Sequence, residues 1–185
     1  ELAVKITQSG INVEKVITNH IDNLVIGKVI SCIDHPDSDH LHVCMVDVGK
    51  SEAIQIVCGA PNVREGLKVI VSLPGAVLPG NFEIKKGKIR GVESNGMICA
   101  LYELGLEEKN DETYAKGIEE LNSDAKVGED PIKYLGLDDT LYELDIHKHR
   151  NNDCYYHIGF AYEIGAILNR RVVLPQDSFK EVNDS

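Results

Sequence analysis

Short apolar segments separated by glycine or proline fill residues 24–100, and they restrict the possible fold most strongly. "NLVIGKVISCID", "LHVCMVDV", "AIQIVC" and "LKVIVSL" are rich in β-branched residues, and turn residues recur at intervals of roughly 8 to 15 positions. β-branched residues favour strands, and short strands at this spacing are typical of a small barrel or sandwich. The middle of the chain is therefore predicted to be all-β.

Further segments extend this reading toward the C-terminus. "FEIKKGKIRGV", residues 82–92, is predicted as one strand, and "GMICAL" and "TLYELDI" as two more. Residues 107–131 are charged and poor in large apolar groups, so they are predicted to form an exposed loop or a small excursion from the barrel.

Both ends of the chain predict helices. "ELAVKITQSG" reads as a short helix closed by Gly10, followed by a strand in "INVEKVI". "YYHIGFAYEIGAILN" has helical periodicity, and Asn152 or Asp153 is positioned to cap it. If the two ends pack together, a barrel domain over residues 22–150 is inserted into a discontinuous helix-containing domain made of 1–21 and 151–185. The predicted fold class is mainly β with α.

The five cysteines favour a reducing compartment. Their number is odd and four of them lie in apolar segments, which is typical of buried, reduced thiols in a cytosolic protein and not of a disulfide framework. No run of about 18 apolar residues predicts a transmembrane helix, and no signal peptide is visible. The missing initiator methionine suggests a piece of a longer protein.

The charge is distributed unevenly. The net charge of -11 argues at first against a nucleic-acid partner. However, residues 59–99 hold six basic residues against three acidic ones, whereas residues 100–146 hold four basic residues against 14 acidic ones. A locally basic surface is therefore compatible with the total.

"HPDSDHLHVC", residues 35–44, resembles a metal site in composition. Strand alternation predicts that Leu41, Val43 and Met45 face the core and that the opposite face carries His40, His42 and Cys44. Zinc requires about four ligands in tetrahedral closure, and neither a CxxC pair nor an HExxH helix is present. "HPDSD" is therefore predicted as a turn, with no metal bound.

No catalytic arrangement stands out either. "GAVLPGN", residues 75–81, has the glycine spacing of a phosphate-binding loop, but Asn81 and Phe82 occupy the positions of its lysine and hydroxyl residue. Turn glycines around Pro79 are the better interpretation. No GxSxG motif occurs.

The basic run "IKKGKIRG" is the strongest chemical feature. As a strand it would place Lys86, Lys88 and Arg90 on one face about 6–7 Å apart, which suits a row of phosphates. Asn62 and Arg64, in "PNVREG", could reach a phosphate or a base edge from a turn. The alternative is an edge strand kept soluble by lysines.

The chain has few aromatic side chains that could stack on bases. Aromatic residues make up only 5% of the chain, and Phe82 alone is near the basic run in sequence, which predicts contacts to backbone and shape more than to bases. In "HKHRNND", residues 147–153, a linker with a helix cap is favoured over nucleic-acid contacts from Lys148 and Arg150.

The run from Ile56 to Ala100, "IVCGAPNVREGLKVIVSLPGAVLPGNFEIKKGKIRGVESNGMICA", strongly resembles the tRNA-binding OB-fold of bacterial phenylalanyl-tRNA synthetase beta chains. "HPDSDHLHVCMVDVG" resembles that family's first hairpin. The flanks "ELAVKITQSGINVEKV" and "DCYYHIGFAYEIGAIL" resemble the segments before and after the OB insertion.

The resemblance implies an OB-fold β-barrel that binds tRNA through Asn62, Arg64, Lys86, Lys88 and Arg90, with Ser94 supporting the loop. It implies a cytoplasmic, ATP- and magnesium-dependent ligase of two alpha and two beta chains. It also implies that this chain carries no catalytic site, metal or cofactor and touches no membrane. Two alternatives remain, a module that braces subunits and a free-standing tRNA-binding protein.

Overall fold

The computed structural model describes residues 1–175 of the chain, which divide into two compact units. One unit consists of residues 1–18 together with the chain from residue 140 onward, and the other of residues 19–139. The second boundary, between residues 139 and 140, lies about ten residues before the end expected for the barrel. The domain assignment of 22–150 and of 1–21 with 151–185 stays a prediction. None of the helices in the described part is both long and apolar enough to span a membrane.

An antiparallel, OB-like sheet forms the centre of residues 19–139 and confirms the mainly β fold class. Its strands are β2 (Leu24–Asp34), β3 (His42–Asp47), β4 (Ile54–Cys58), β5 (Lys68–Ser72) and β10 (Met97–Cys99). They lie in the order β10-β5-β2-β3-β4. The alternating apolar pattern specifies these strands because each one buries a face against the same core.

The sheet curls until its two edges meet. Asn95 N, just before β10, donates to Gln55 O in β4 over 2.8 Å. A continuous core fills the interior and includes Val29, Cys44, Val46, Ile56, Val69, Val71 and Ile98. Curling therefore satisfies edge groups that an open sheet would leave unpaired.

The core face of β3 is the reverse of the face predicted. Cys44 and Val46 are fully buried, whereas Val43 and Met45 are partly exposed. Both faces of "LHVCMVDV" are apolar, so period-two alternation alone could not choose between them. Pairing of Cys44 with Cys32 of β2 brings this face inward.

Four short strands follow β5 as two hairpins. The first joins β6 (Val77–Leu78) to β7 (Phe82–Glu83), and the second joins β8 (Gly87–Ile89) to β9 (Val92–Ser94). The single strand predicted over residues 82–92 is therefore wrong.

The segment after β10, residues 101–139, packs on the barrel, and we call it the acidic segment. It contains α2 (Asp111–Lys116), β11 (Glu120–Leu121) and α3 (Pro131–Tyr134), and β11 extends the sheet beside β5. Asn110 and Asp130 accept backbone hydrogen bonds at the starts of α2 and α3. The excursion predicted here thus has its own structure, anchored by buried apolar side chains such as Ile118 and Ile132.

The other unit pairs β1 (Asn12–Thr18) with β12 (Thr140–Asp145) and adds α1 (Leu2–Gln8) and α4 (His157–Leu168). Ile6, Ile11 and Cys154 form its buried centre. The predicted helices and strands at both chain ends are confirmed. The expected cap at Asn152 or Asp153 is wrong, because α4 begins only at His157, after Tyr156.

All five cysteines are free thiols, as expected, and four are buried. Burial raises the pKa of Cys58 to about 11 and that of Cys99 to about 12. These thiols are protonated at neutral pH and behave as small apolar side chains.

Candidate nucleic-acid interface

The β8–β9 hairpin presents the cationic residues. Its two-residue turn is formed by Arg90 and Gly91 with φ of 46° and 84°, the left-handed backbone that such hairpin turns require. Arg90 therefore lies at the tip of the turn and not on the strand face. We call residues 85–92 the basic hairpin.

Three cations of the basic hairpin differ in their surroundings. Lys86 and Lys88 are exposed and have no ion-pair partner within the described chain. Lys85 pairs with Glu83, the Nζ to Oε2 distance being 2.9 Å. The hairpin thus holds two ammonium groups ready for an external anion, beside the Arg90 guanidinium.

The turn at residues 35–40 forms hydrogen bonds to the basic hairpin and supports it. Arg90 Nη1 donates to Asp37 O over 2.9 Å. His35 is 4% exposed; its Nδ1 accepts from Asp37 N, which leaves Nε2 to donate to Ile89 O over 3.2 Å. His35 is a positioning residue that sequence reasoning missed, because its partner lies 54 residues away.

The suspected metal ligands do not converge. Cys44 is in the core beside Cys32, with 3.6 Å between the sulfurs, whereas His40 is exposed. His42 Nε2 faces Asp34 Oδ1 at 3.6 Å. Within residues 1–175, the group of three potential metal donors is instead Asp153, Cys154 and Glu163.

That group is occupied by the cation of Arg150. The Arg150 Nη2 atom lies 2.8 Å from Asp153 Oδ2, 2.9 Å from Glu163 Oε2 and 2.9 Å from Cys154 Sγ. The guanidinium lowers the pKa of Asp153 by hydrogen bonding to its carboxylate. Arg150 therefore links the segment before α4 to Glu163 within that helix. Its cationic group is engaged inside the protein, although the helix cap expected in "HKHRNND" is absent from this part of the described chain.

Asn62 and Arg64 make contacts within the protein. The Asn62 amide donates to Ile118 O over 2.9 Å and accepts from Ile118 N over 3.0 Å. Arg64 forms a two-pronged ion pair with Glu120, with distances of 2.8 and 2.7 Å, which lowers the pKa of that carboxyl. Through these contacts the two side chains hold the acidic segment against the barrel.

Ser94 closes the barrel next to the basic hairpin. Its buried hydroxyl accepts from Val57 N over 3.1 Å and donates to Gly96 O over 3.0 Å. The hydroxyl thus links β4 to the turn after β9. The role predicted for Ser94 in tRNA binding stays a prediction.

We expect Ser94→Ala to lower the free energy of unfolding of the barrel by about 1–3 kcal/mol, because the buried Val57 amide loses its acceptor. Urea denaturation measures this loss. The control is Ser123→Ala, at an exposed position, which should change stability by less than about 0.5 kcal/mol. Equal free energies of unfolding for Ser94→Ala and Ser123→Ala would contradict the role of Ser94 in joining β4 to the turn after β9.

Comparison with known proteins finds a family model that matches more than half of the chain. The family model "Putative tRNA binding domain" matches residues 24–130. The phenylalanine–tRNA ligase beta subunit of Geobacillus kaustophilus is 52% identical over 184 residues, covering 98% of this chain and 23% of that protein. The Bacillus subtilis protein of the same name is 47% identical over 186 residues, covering 99% and 23%. The chain therefore spans about a quarter of the length of these relatives.

A solved structure also aligns, though weakly. The MetRS related protein from Pyrococcus horikoshii gives a TM-score of 0.41 at 23% identity, covering 57% of this chain and 84% of that one.

Proposed function

Because the chain belongs to the tRNA-binding domain family, we propose that its barrel binds tRNA through the basic hairpin. The observation that carries this proposal is the exposure of Lys86 and Lys88, beside Arg90, within the segment that the family model matches. Cationic side chains attract the phosphate backbone irrespective of sequence. Recognition is therefore of tRNA shape and backbone more than of particular bases.

The six residues predicted from the sequence take two roles in this proposal. Lys86, Lys88 and Arg90 meet phosphates. Asn62, Arg64 and Ser94 hold the surface in shape through the contacts described above. Arg64 can still approach a phosphate with its outer edge, since its side chain is 59% exposed.

The relatives suggest a larger setting. We propose that this chain is a non-catalytic part of the beta subunit of a phenylalanine–tRNA ligase. Such an enzyme would use ATP and magnesium and would work in the cytoplasm. An alpha subunit would be the protein partner, and two alpha and two beta chains would form the enzyme. The chemistry would then reside outside this chain.

Binding of fluorescently labelled tRNA across a salt series tests the proposal. We expect weak binding at about 50 mM salt that falls steeply by about 200 mM, as counterion release requires. A DNA hairpin of equal charge serves as the control for general polyanion binding. Absence of tRNA binding at low salt would contradict the proposal and favour the alternative in which the barrel braces subunits.

A further inference from the structure

A cleft of about 570 Å³ opens beside the basic hairpin, within residues 19–139. Its lining includes Val57, Met97 and Ala100, together with Ile118 of the acidic segment and Ile89 of the basic hairpin. The volume lies in the range of small-molecule sites. Ile89 is flanked along the chain by Lys88 and Arg90.

One carboxylate enters this apolar space. Glu103 is partly buried, and its Oε2 accepts from Ala100 N over 2.8 Å. Burial raises the pKa of Glu103, while the Ala100 amide and Lys109 act in the opposite direction. The other oxygen, Oε1, accepts no hydrogen bond from residues 1–175. A partly desolvated acceptor gains from a ligand that donates an N–H group.

Two aromatic rings line the same cleft. Tyr102 and Tyr114 come from the segment after β10, and the Lys109 ammonium lies 5.5 Å and 5.8 Å from their ring centroids. Such cation–π contacts are weak at exposed sites, so an anionic ligand can draw the lysine away and uncover the rings. Aromatic faces of this kind stack on nucleobases.

The wall that carries these rings is held in place. Asn62 bonds to both backbone groups of Ile118, one residue after Gly117. Gly117 has a φ of 79°, and a side chain there would collide with the Asn62 amide. The cleft is therefore a preformed feature of the barrel and not a gap between loosely placed loops.

A second groove continues the cleft along the basic hairpin. It shares Val57, Ile89 and Met97 with the cleft and adds Phe82, which is 59% exposed, and Lys88. Cations that follow a phosphate chain, alternating with aromatic platforms, are the features of sites for unpaired nucleotides.

From this combination we infer that the cleft receives one unpaired nucleobase of the bound tRNA, stacked on Tyr114, with Glu103 accepting a hydrogen bond from its exocyclic amino group. The inference rests on the proposed function. Adenine, cytosine and guanine carry such a group. Uracil instead flanks its single N–H with two carbonyl oxygens, which the carboxylate repels. Lys88, Arg90 and Lys109 would contact the adjoining phosphates.

Titration of the 185-residue chain with nucleoside monophosphates tests the site without tRNA. Methyl NMR should show that AMP, CMP and GMP shift Ile89, Met97 and Ile118, with dissociation constants on the order of millimolar, as single stacked bases allow. UMP should bind about 5-fold more weakly or worse. Ribose 5-phosphate should leave the Met97 and Ile118 signals unchanged, and Ile30 and Ile33, which are exposed outside the cleft, serve as reference methyls.

Variants separate stacking from hydrogen bonding. Tyr114 is 63% exposed, so Tyr114→Ala should leave the fold intact and weaken AMP binding by about 5-fold or more, the effect of losing one base–aromatic contact. Tyr114→Phe should retain binding, as should Tyr155→Ala, at a 71% exposed tyrosine of the other unit. Glu103→Gln should reduce the preference for AMP, CMP and GMP over UMP.

The same variants distinguish this site from the proposed function. Tyr114→Ala should weaken tRNA binding without changing its salt dependence, because stacking releases no counterions. If no mononucleotide shifts the cleft methyls, or if ribose 5-phosphate shifts them equally, the nucleobase site is overturned while salt-dependent tRNA binding stands. Absence of any tRNA binding by the unmodified chain at low salt would instead overturn the proposed function.

Discussion

Replacement of Gly27 by alanine should destabilise the barrel by about 1–3 kcal/mol, the cost of overfilling a packed core. Gly27 lies in the middle of β2, where a Cβ atom would stand 2.7 Å from Val71 Cγ2 and 2.8 Å from Val46 Cγ1. Both valines are fully buried and have little room to move. Gly27→Val, which adds two further methyl groups, should prevent the barrel from folding.

Gly87→Ala provides the matched control. Gly87 begins β8, its φ is not positive, and no atom lies within 4 Å of the added Cβ. Alanine there should be neutral or slightly stabilising, because glycine loses more entropy on folding. Urea denaturation followed through barrel methyl signals compares the two variants. Similar unfolding midpoints would contradict the view that β2 curls tightly between β3 and β5 at a position only glycine can occupy.

The second large effect is on the affinity of the chain for tRNA and on the salt dependence of that affinity. Changing Lys86, Lys88 and Arg90 to alanine together should remove about three phosphate contacts. The slope of log affinity against log salt should then become shallower by about 2 to 3, and affinity at low salt should fall by at least about 10-fold. Fluorescence anisotropy with labelled tRNA measures both quantities.

Two controls make this result interpretable. Changing Lys15, Lys50 and Lys133 to alanine alters the net charge equally at exposed positions that are not part of the basic hairpin, and it should leave the slope within about 1 of the unmodified chain. Changing only Lys86 and Lys88 keeps the Arg90 contact to Asp37 and should give about two thirds of the full effect. If the two triple variants lose affinity equally, the basic hairpin is not the binding surface.

The strands and the fold class could be predicted from the sequence because their information is local. Alternating β-branched segments ended by glycine or proline specify strands wherever they occur. The faces could not be predicted for β3, since Cys44 and Val43 are both apolar. Which side is buried depends on the pairing with β2.

The candidate site could be predicted only in part, because its members are distant in sequence. The basic run was visible as four cations in residues 85–90, but its hairpin turn was not, as Arg90 is an unusual residue for a left-handed position. The tyrosines of the cleft lie 12 and 24 residues beyond Arg90, and only the folded structure shows that they line one cleft with Ile89 of the hairpin. Asn62 and Arg64 were predicted as ligand contacts because nothing near them in sequence shows Ile118 and Glu120 as partners.

The most direct measurement is an NMR footprint of unmodified tRNA on the isotopically labelled chain at low salt. We predict that amide and methyl signals of residues 84–92 change most, followed by those of residues 100–117, and that the changes disappear as salt is raised. Changes confined to residues 1–18 and 140–175, or no changes at all, would contradict the binding of tRNA by the barrel.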